Sequence, residues 1–299
     1  MATDGWVAIG HEDRPWTSRV PADLVSRRVR ESHAGGYRAA VLPPITDLEP
    51  VLPLALLVHA ERAAGLIARF DAESEGTPVP SSALLRSESA SSSQVENTTS
   101  GARALAVAAI DAQEAPRDAG LVLGNVRATE RAMHHDLLAE SAPDRAGRWR
   151  QEQVWIGGSG YGPHQAEFVP PHHEAVPAAL EDLVAFAARR DVPVLVHAAL
   201  VHAQFETAHP FVDGNGRTGR ALVHVLLRRR GLVRHTVVPV SAGLLREADR
   251  YVDAAKALAT LTDAGSSWSF SGRRRGRRWQ APEVISALDE FARRAGRRS

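Results

Sequence analysis

His209 to Arg220 reads HPFVDGNGRTGR, and no other stretch of the chain gathers as many groups able to do chemistry. Gly214 and Gly216 can take positive φ and let an anion come close to the backbone, so that neighbouring peptide N–H groups converge on it. A helix starting near Arg217 would add the positive end of its dipole. Arg217 and Arg220 lie three apart and present forked donors on one side of that helix, which suits a group carrying several phosphates. Asp213 offers the hard carboxylate oxygen that Mg²⁺ takes together with phosphates, and Asn215 can orient the loop or a phosphate. His209 supplies a base whose ordinary pKa, about 6.5, suits removal of a proton from an attacking hydroxyl. Each residue also has a plain reading: a histidine before proline ends a helix, Gly-Asn-Gly makes a turn, and Arg at i and i+3 is a solvated face. No single structural need asks for base, carboxylate, glycines and two arginines in a row, so together they point to phosphoryl-centre chemistry.

Such a loop works only if rigid elements hold both its ends. Val194 to Ala208 upstream and Arg217 to Arg230 downstream read as helices, and Val176 to Arg189 reads as a third after the Pro170-Pro171 break. Pro177 and Pro193 stand where a first helical position accepts proline. Pro53 to Phe70 carries apolar residues at helical spacing before the breaker-rich DAESEGTPVPSS, and Asn125 to Ala139 is a further amphipathic candidate. The first fifty residues show one short helical candidate, Ala22 to Ser32. Residues 82–112 look helical at both ends, but SESASSSQVEN interrupts them, because serines compete for backbone hydrogen bonds. The one clear strand pair expected lies in GRWRQEQVWIGGSGYGPHQAEFVPPHH. There Trp149, Gln151, Val154 and Ile156 alternate, a glycine-rich turn follows, and Ala166 to Val169 returns. The fold class expected is mainly α with one β-hairpin.

With 299 residues, 44% of them hydrophobic, the chain can bury a sizeable core. Zero cysteines exclude disulfides, thiolate metal sites and thiol nucleophiles. No run approaches the roughly 18 to 20 apolar residues that span a bilayer and no signal pattern opens the chain, so a cytoplasmic protein without membrane contact is expected. The net charge of +1 conceals a basic tail: residues 271–299 hold nine Arg against three acids, leaving the remainder at −5. GRRRGRR reads as a solvated linker before a helix from Pro282 to Arg294, and nucleic acid is not the expected partner. The pairs His134-His135 and His172-His173 lack HExxH or another metal-ligand spacing, so zinc is not expected.

HPFVDGNGRTGR resembles the motif of Fic proteins, HPFx(D/E)GNGRxxR, at every fixed position, and the preceding HAQFETA and following ALVHVLLRRRGL are also similar to that family. The likeness runs from about residue 80 to 260. It implies a Fic-type helical bundle with a β-hairpin flap, arranged as an N-terminal region (1–80), an inhibitory-helix region (81–118), a catalytic core (119–265), and an Arg-rich linker with a C-terminal helix (266–299). It further implies an adenylyltransferase that moves AMP from ATP to a protein Ser, Thr or Tyr hydroxyl. His209 would be the base and Asp213 the Mg²⁺ ligand. Gly214, Asn215, Gly216, Arg217, Thr218, Gly219 and Arg220 would hold the phosphates, and Phe211 would anchor the loop. Val154, Trp155, Ile156, Gly157 and Gly158 would form the flap edge that takes the target segment by strand addition. Tyr251 would line the adenine pocket.

Ser92 to Asn97, SSQVEN, fits the family's inhibitory pattern (S/T)xxxE(G/N). The resemblance implies that Glu96 pairs with Arg220 in place of the outer phosphate, with Ser92 and Asn97 as the flanking motif residues. The partner implied is a protein with a hydroxyl side chain, the chain itself included, and a homodimer is compatible with the reading. The same site run backwards as a deAMPylase, or a noncatalytic nucleotide-binding module, are the competing functions.

Overall fold

The computed structural model describes residues 9–18, 26–75, 88, 91–92, 131–136, 138–139, 142–158 and 161–246. In chain order these form β1 (Gly10–Pro15), α1 (Arg27–Ser32), β2 (Gly36–Val41), α2 (Leu54–Glu73), α3 (Val176–Ala187), α4 (Val194–Ala208), α5 (Asn215–Arg229) and α6 (Val240–Arg246). Residues 131–136 are also helical.

The core is built around α4. Pro193, in extended conformation, precedes its first turn, and the residues that follow are buried nearly all round, from Leu195 and Val196 through Ala199 and Val201 to Phe205 and Ala208. A helix apolar on every side must be surrounded, and α2, α3 and α5 all pack on this one. They bring Ala60, Ala63 and Ile67 from α2, Leu180, Leu183 and Phe186 from α3, and Leu222, Leu226 and Leu227 from α5. Leu180, Leu195, Phe205 and Leu227 are each exposed by 1% or less, and burying each contributes about 1.5–3 kcal/mol.

Buried polar groups staple these helices to the loops. Asp71, near the end of α2, accepts from the amides of Arg234 (2.7 Å), His235 (2.8 Å) and Thr236 (2.9 Å). Asp182 on α3 accepts from the amides of Ile45 (2.7 Å) and Thr46 (3.0 Å). His197 Nδ1 accepts from the Arg230 guanidinium at 2.8 Å, and its Nε2–H donates to the Phe186 carbonyl at 3.0 Å.

α2 to α5 fall where the sequence places them, with α2 continuing three residues beyond Phe70 and α5 starting at Asn215, whereas α6 is not among the expected helices. The sheet does not fall where expected. β1 and β2 pair antiparallel from Gly10↔Val41 to Pro15↔Gly36, in a region whose strands the sequence does not announce. The reason is visible in β1, GHEDRP, which offers no apolar residue to alternate and buries none of its residues fully. Among the described residues, the expected hairpin around 149–169 exists as one bridge, Ile156↔Phe168, with amide-to-carbonyl distances of 2.9 and 3.2 Å. Gly157 and Gly158, both at positive φ, and the 3₁₀ turn Pro163–Gln165 end its pairing. Of the helix expected over 22–32 the structure describes Arg27–Ser32. Glu96, Asn97, Tyr251, the C-terminal helix from 282 to 294, most of 82–112 and residues 125–130 and 137 of the candidate helix 125–139 lie outside the described residues.

Candidate active site

α4 ends on His209, whose backbone is left-handed (φ 47, ψ 59), a conformation that costs a residue with a Cβ about 1–2 kcal/mol and persists only where its surroundings enforce it. Its amide donates to the Phe205 carbonyl at 2.9 Å, and its Nδ1 faces the Glu206 carbonyl at 3.3 Å. A carbonyl can only accept, so Nδ1 carries the hydrogen and Nε2 keeps its lone pair. Burial pushes the imidazole pKa down to about 4, so the ring is neutral at neutral pH.

Arg150 enforces the turn. This arginine is 3% exposed, and its guanidinium donates to the carbonyls of His209 (2.8 Å), Pro171 (2.5 Å), Glu152 (3.1 Å) and Ala208 (3.4 Å). Its own amide donates to the Pro210 carbonyl at 2.9 Å. Burial lowers its pKa to about 10, which still leaves it charged at neutral pH. Sequence reasoning passed over Arg150, because the carbonyls that hold it lie as far away as Pro171, Ala208 and His209 and leave no local pattern.

The loop that follows is closed by its own side chains. Asn215 Oδ1 accepts from the Phe211 amide and Nδ2 donates to the Phe211 carbonyl, both at 2.9 Å, so Asn215 orients the loop itself. Phe211 is fully buried, and His134 stacks on it with ring centroids 3.6 Å apart and planes 7° from parallel. His134 accepts at Nδ1 from the Gly147 amide and donates through Nε2 to the Asp213 carbonyl, both at 2.9 Å. His134, also missed, is thus a neutral positioning group, in keeping with a pKa lowered by burial.

Gly214 takes φ 78 at the N-cap of α5. Thr218 makes the first helical bond back to Gly214, so the amides of Asn215, Gly216 and Arg217 precede any i−4 acceptor within the helix. Thr218 Oγ1 is also committed to the Gly214 carbonyl, at 2.9 Å. Gly219 faces α4, where a Cβ would stand 3.1 Å from Phe205 Cδ1. Arg217 is 8% exposed, with its guanidinium 3.6 Å from the Asp213 carboxylate, and that side chain is itself 66% exposed.

Arg220, 1% exposed, is engaged from far upstream: Nε donates to Ser92 Oγ at 3.1 Å and an Nη to the Ser92 carbonyl at 3.0 Å. Four residues earlier, fully buried Glu88 accepts from His224 Nε2 (2.9 Å) and from the amide (2.8 Å) and hydroxyl (2.6 Å) of Ser241. The segment carrying the serine-rich pattern is therefore anchored on α5. Val154, Trp155, Ile156, Gly157 and Gly158 lie on one arm of the single-bridge hairpin, with Ile156 41% exposed. Away from this centre, among the described residues, ligand atoms of His172, His173 and Glu174 come within 4.8 Å of one another, and Glu174 also faces Arg14 at 3.5 Å. No helix among the described residues is long and apolar enough to cross a membrane.

Residues 128–227 match the Fic/DOC family. The chain is 33% identical over 102 residues to protein adenylyltransferase fic-1 of Caenorhabditis elegans, covering 33% of this chain and 18% of that protein. It is likewise 33% identical over 103 residues to protein adenylyltransferase Fic of Nematostella vectensis, covering 33% of this chain and 22% of that protein. It thus spans about a fifth of the length of the curated relatives it matches. A Fic family protein from Desulfovibrio desulfuricans G20 superposes with a TM-score of 0.56 at 22% identity, over 85% of this chain and 76% of that one. The mainly helical fold is therefore of the Fic type, and within it residues 128–227 are similar to the Fic/DOC family.

Proposed function

We propose that the chain is a protein adenylyltransferase, transferring AMP from ATP to a protein hydroxyl. The observation that carries the reading is the fixed tautomer of His209: with Nδ1–H turned to the Glu206 carbonyl, Nε2 is a neutral acceptor beside a loop built for phosphates. The acceptor oxygen attacks the α-phosphorus of ATP, its proton passes to His209 Nε2, the bond from that phosphorus to the β-phosphate's bridging oxygen breaks, and pyrophosphate leaves. Most of the acceleration then comes from positioning and charge. The first-turn amides of α5 meet phosphate oxygens, and Arg217 and Arg220 neutralise the outer phosphates. The carboxylate of Asp213, hard and solvent-facing beside this loop, fits Mg²⁺, which would neutralise phosphate charge when bound.

Regulation belongs to the same proposal. Arg220 spends two of its donors on Ser92, and productive ATP binding requires those donors to be exchanged for phosphate. Glu96 follows Ser92 in the pattern and would compete for the same guanidinium. A coupling of about 1–3 kcal/mol between segment and nucleotide corresponds to suppression by about 5- to 150-fold. The test compares α-labelled with γ-labelled ATP, using wild type, Ser92→Ala and Glu96→Gly. Transfer of the α-label only, stronger in both variants, is expected. Transfer of the γ-label would make the chain a phosphotransferase instead, and equal α-labelling by all three would remove the inhibitory role.

A further inference from the structure

The hairpin from Val154 to Val169 has little to hold itself in place. It has one bridge and two glycines at positive φ, and a two-stranded ribbon of this size is at best marginal alone. Its order must come from what it leans on: Arg150 holds its base, and the further support lies outside the stretch matched to the family, in residues 10–41. The indole of Trp16 meets three rings edge-on: Trp155 at 5.4 Å and 89°, Tyr37 at 5.9 Å and 87°, and His164 at 6.4 Å and 79°. Trp155 lies on one arm of the hairpin, His164 on the turn before the other arm, and Tyr37 on β2. The polar contacts bind the same parts. Tyr37 Oη donates to Gln153 Oε1 at 3.1 Å, and Gln153 Nε2 donates to the Val154 and Pro170 carbonyls, both at 2.9 Å, one at each end of the hairpin. The Ala40 amide of β2 donates to the Val169 carbonyl at 3.0 Å.

Trp16 Nε1 is buried and makes no hydrogen bond among the described residues, so the ring serves here as a shape. The fit leaves no slack: a Cβ on Gly162 would stand 3.0 Å from Nε1 and 3.3 Å from Cε2 of Trp16. We propose that Trp16 is a positioning residue for the acceptor protein: wedged between β2 and the hairpin, it sets where the edge from Val154 to Gly158 lies relative to Arg150, whose guanidinium holds the Glu152 and His209 carbonyls together. This role in acceptor recognition rests on the transferase reading above; the mechanical role does not. The N-terminal β1–β2 sheet is thereby a functional extension of the site, acting on the acceptor and not on ATP.

The test uses the full chain in the Glu96→Gly background, with Trp16→Ala, Trp16→Phe and Gly162→Ala. Amide hydrogen exchange should accelerate at Ile156, Glu167 and Phe168 by about tenfold or more in Trp16→Ala, while the amides of α4 are unchanged and Trp16→Phe restores most of the protection. Gly162→Ala, which pushes on the same ring from the other side, should reproduce the loss in the presence of Trp16 and add little in its absence. Unchanged exchange of the hairpin in Trp16→Ala overturns the proposal. If that variant loses α4 protection as well, Gly162→Ala decides alone, with unaltered hairpin exchange overturning it. With the His209→Ala chain as acceptor and α-labelled ATP, Trp16→Ala should raise the acceptor KM about fivefold or more and leave the KM for ATP and kcat in place. An unaltered acceptor KM contradicts the proposal. Hairpin loosening without labelling by any variant would instead sink the transferase reading and leave Trp16 as a purely mechanical support.

Discussion

At the scale of single residues, the account rests on groups whose protonation and orientation are fixed before any substrate arrives. Since burial pushes the His209 pKa down to about 4, this ring stays neutral far below the range of free imidazole. The labelling rate should therefore hold from pH 8 to about pH 5 and fall only as pH approaches about 4; an acid limb centred near 6.5 would show the ring to be solvated instead. Arg150→Lys replaces a fork reaching several carbonyls with a point charge, and should lower kcat about 10- to 100-fold with little change in ATP affinity measured by calorimetry. Asn215→Ala leaves the Phe211 amide and carbonyl unpaired and should destabilise the fold by about 1–3 kcal/mol in urea denaturation. His209, Asp213 and the two arginines were legible because their types are contiguous and chemically diverse. Arg150 and His134 were not, since each acts through contacts with residues far along the chain, which no local pattern records.

At the scale of elements, helices were readable and strands were not, for a common physical reason. α3, α4 and α5 bury apolar residues against one another, and burial imposes a period on the sequence. β1 is polar throughout and is held by its ladder and by the aromatic contact just beyond its end, neither of which leaves a period. The hairpin from Val154 to Val169 misled in the opposite direction: its alternation looked like a regular strand pair, whereas among the described residues glycines reduce it to one bridge. Gly158 is the residue to test. It holds φ 72, and a Cβ there would collide with the Gln165 carbonyl. Gly158→Ala should accelerate exchange at the Ile156 and Phe168 amides and depress labelling, with the melting temperature nearly unchanged, because the segment contributes little to the core.

At the scale of the whole molecule, the matched stretch carries His209, the loop and both arginines, while the flanking sequence holds parts of it in place: Ser92 reaches Arg220 from upstream, and β2 supports the hairpin from further upstream still. The bundle also carries a pH dependence of its own. His197 and His202 are buried with pKa values of about 4, below the roughly 6.5 of an unfolded chain, so the unfolded state binds protons that the native state excludes. Their contribution to stability is complete above about pH 6.5 and is lost as pH falls towards 4, by up to about 1.4 kcal/mol per unit for each ring. Urea midpoints measured from pH 7 to 5 should fall accordingly, and a flat profile would show that these rings protonate in place. The measurement closest to the central claim is transfer of label from α-labelled ATP to protein by Glu96→Gly and by Glu96→Gly/His209→Ala, with Mg²⁺ present. The account predicts strong labelling by the first and essentially none by the second; equal labelling by both would contradict the assignment of His209 as the base.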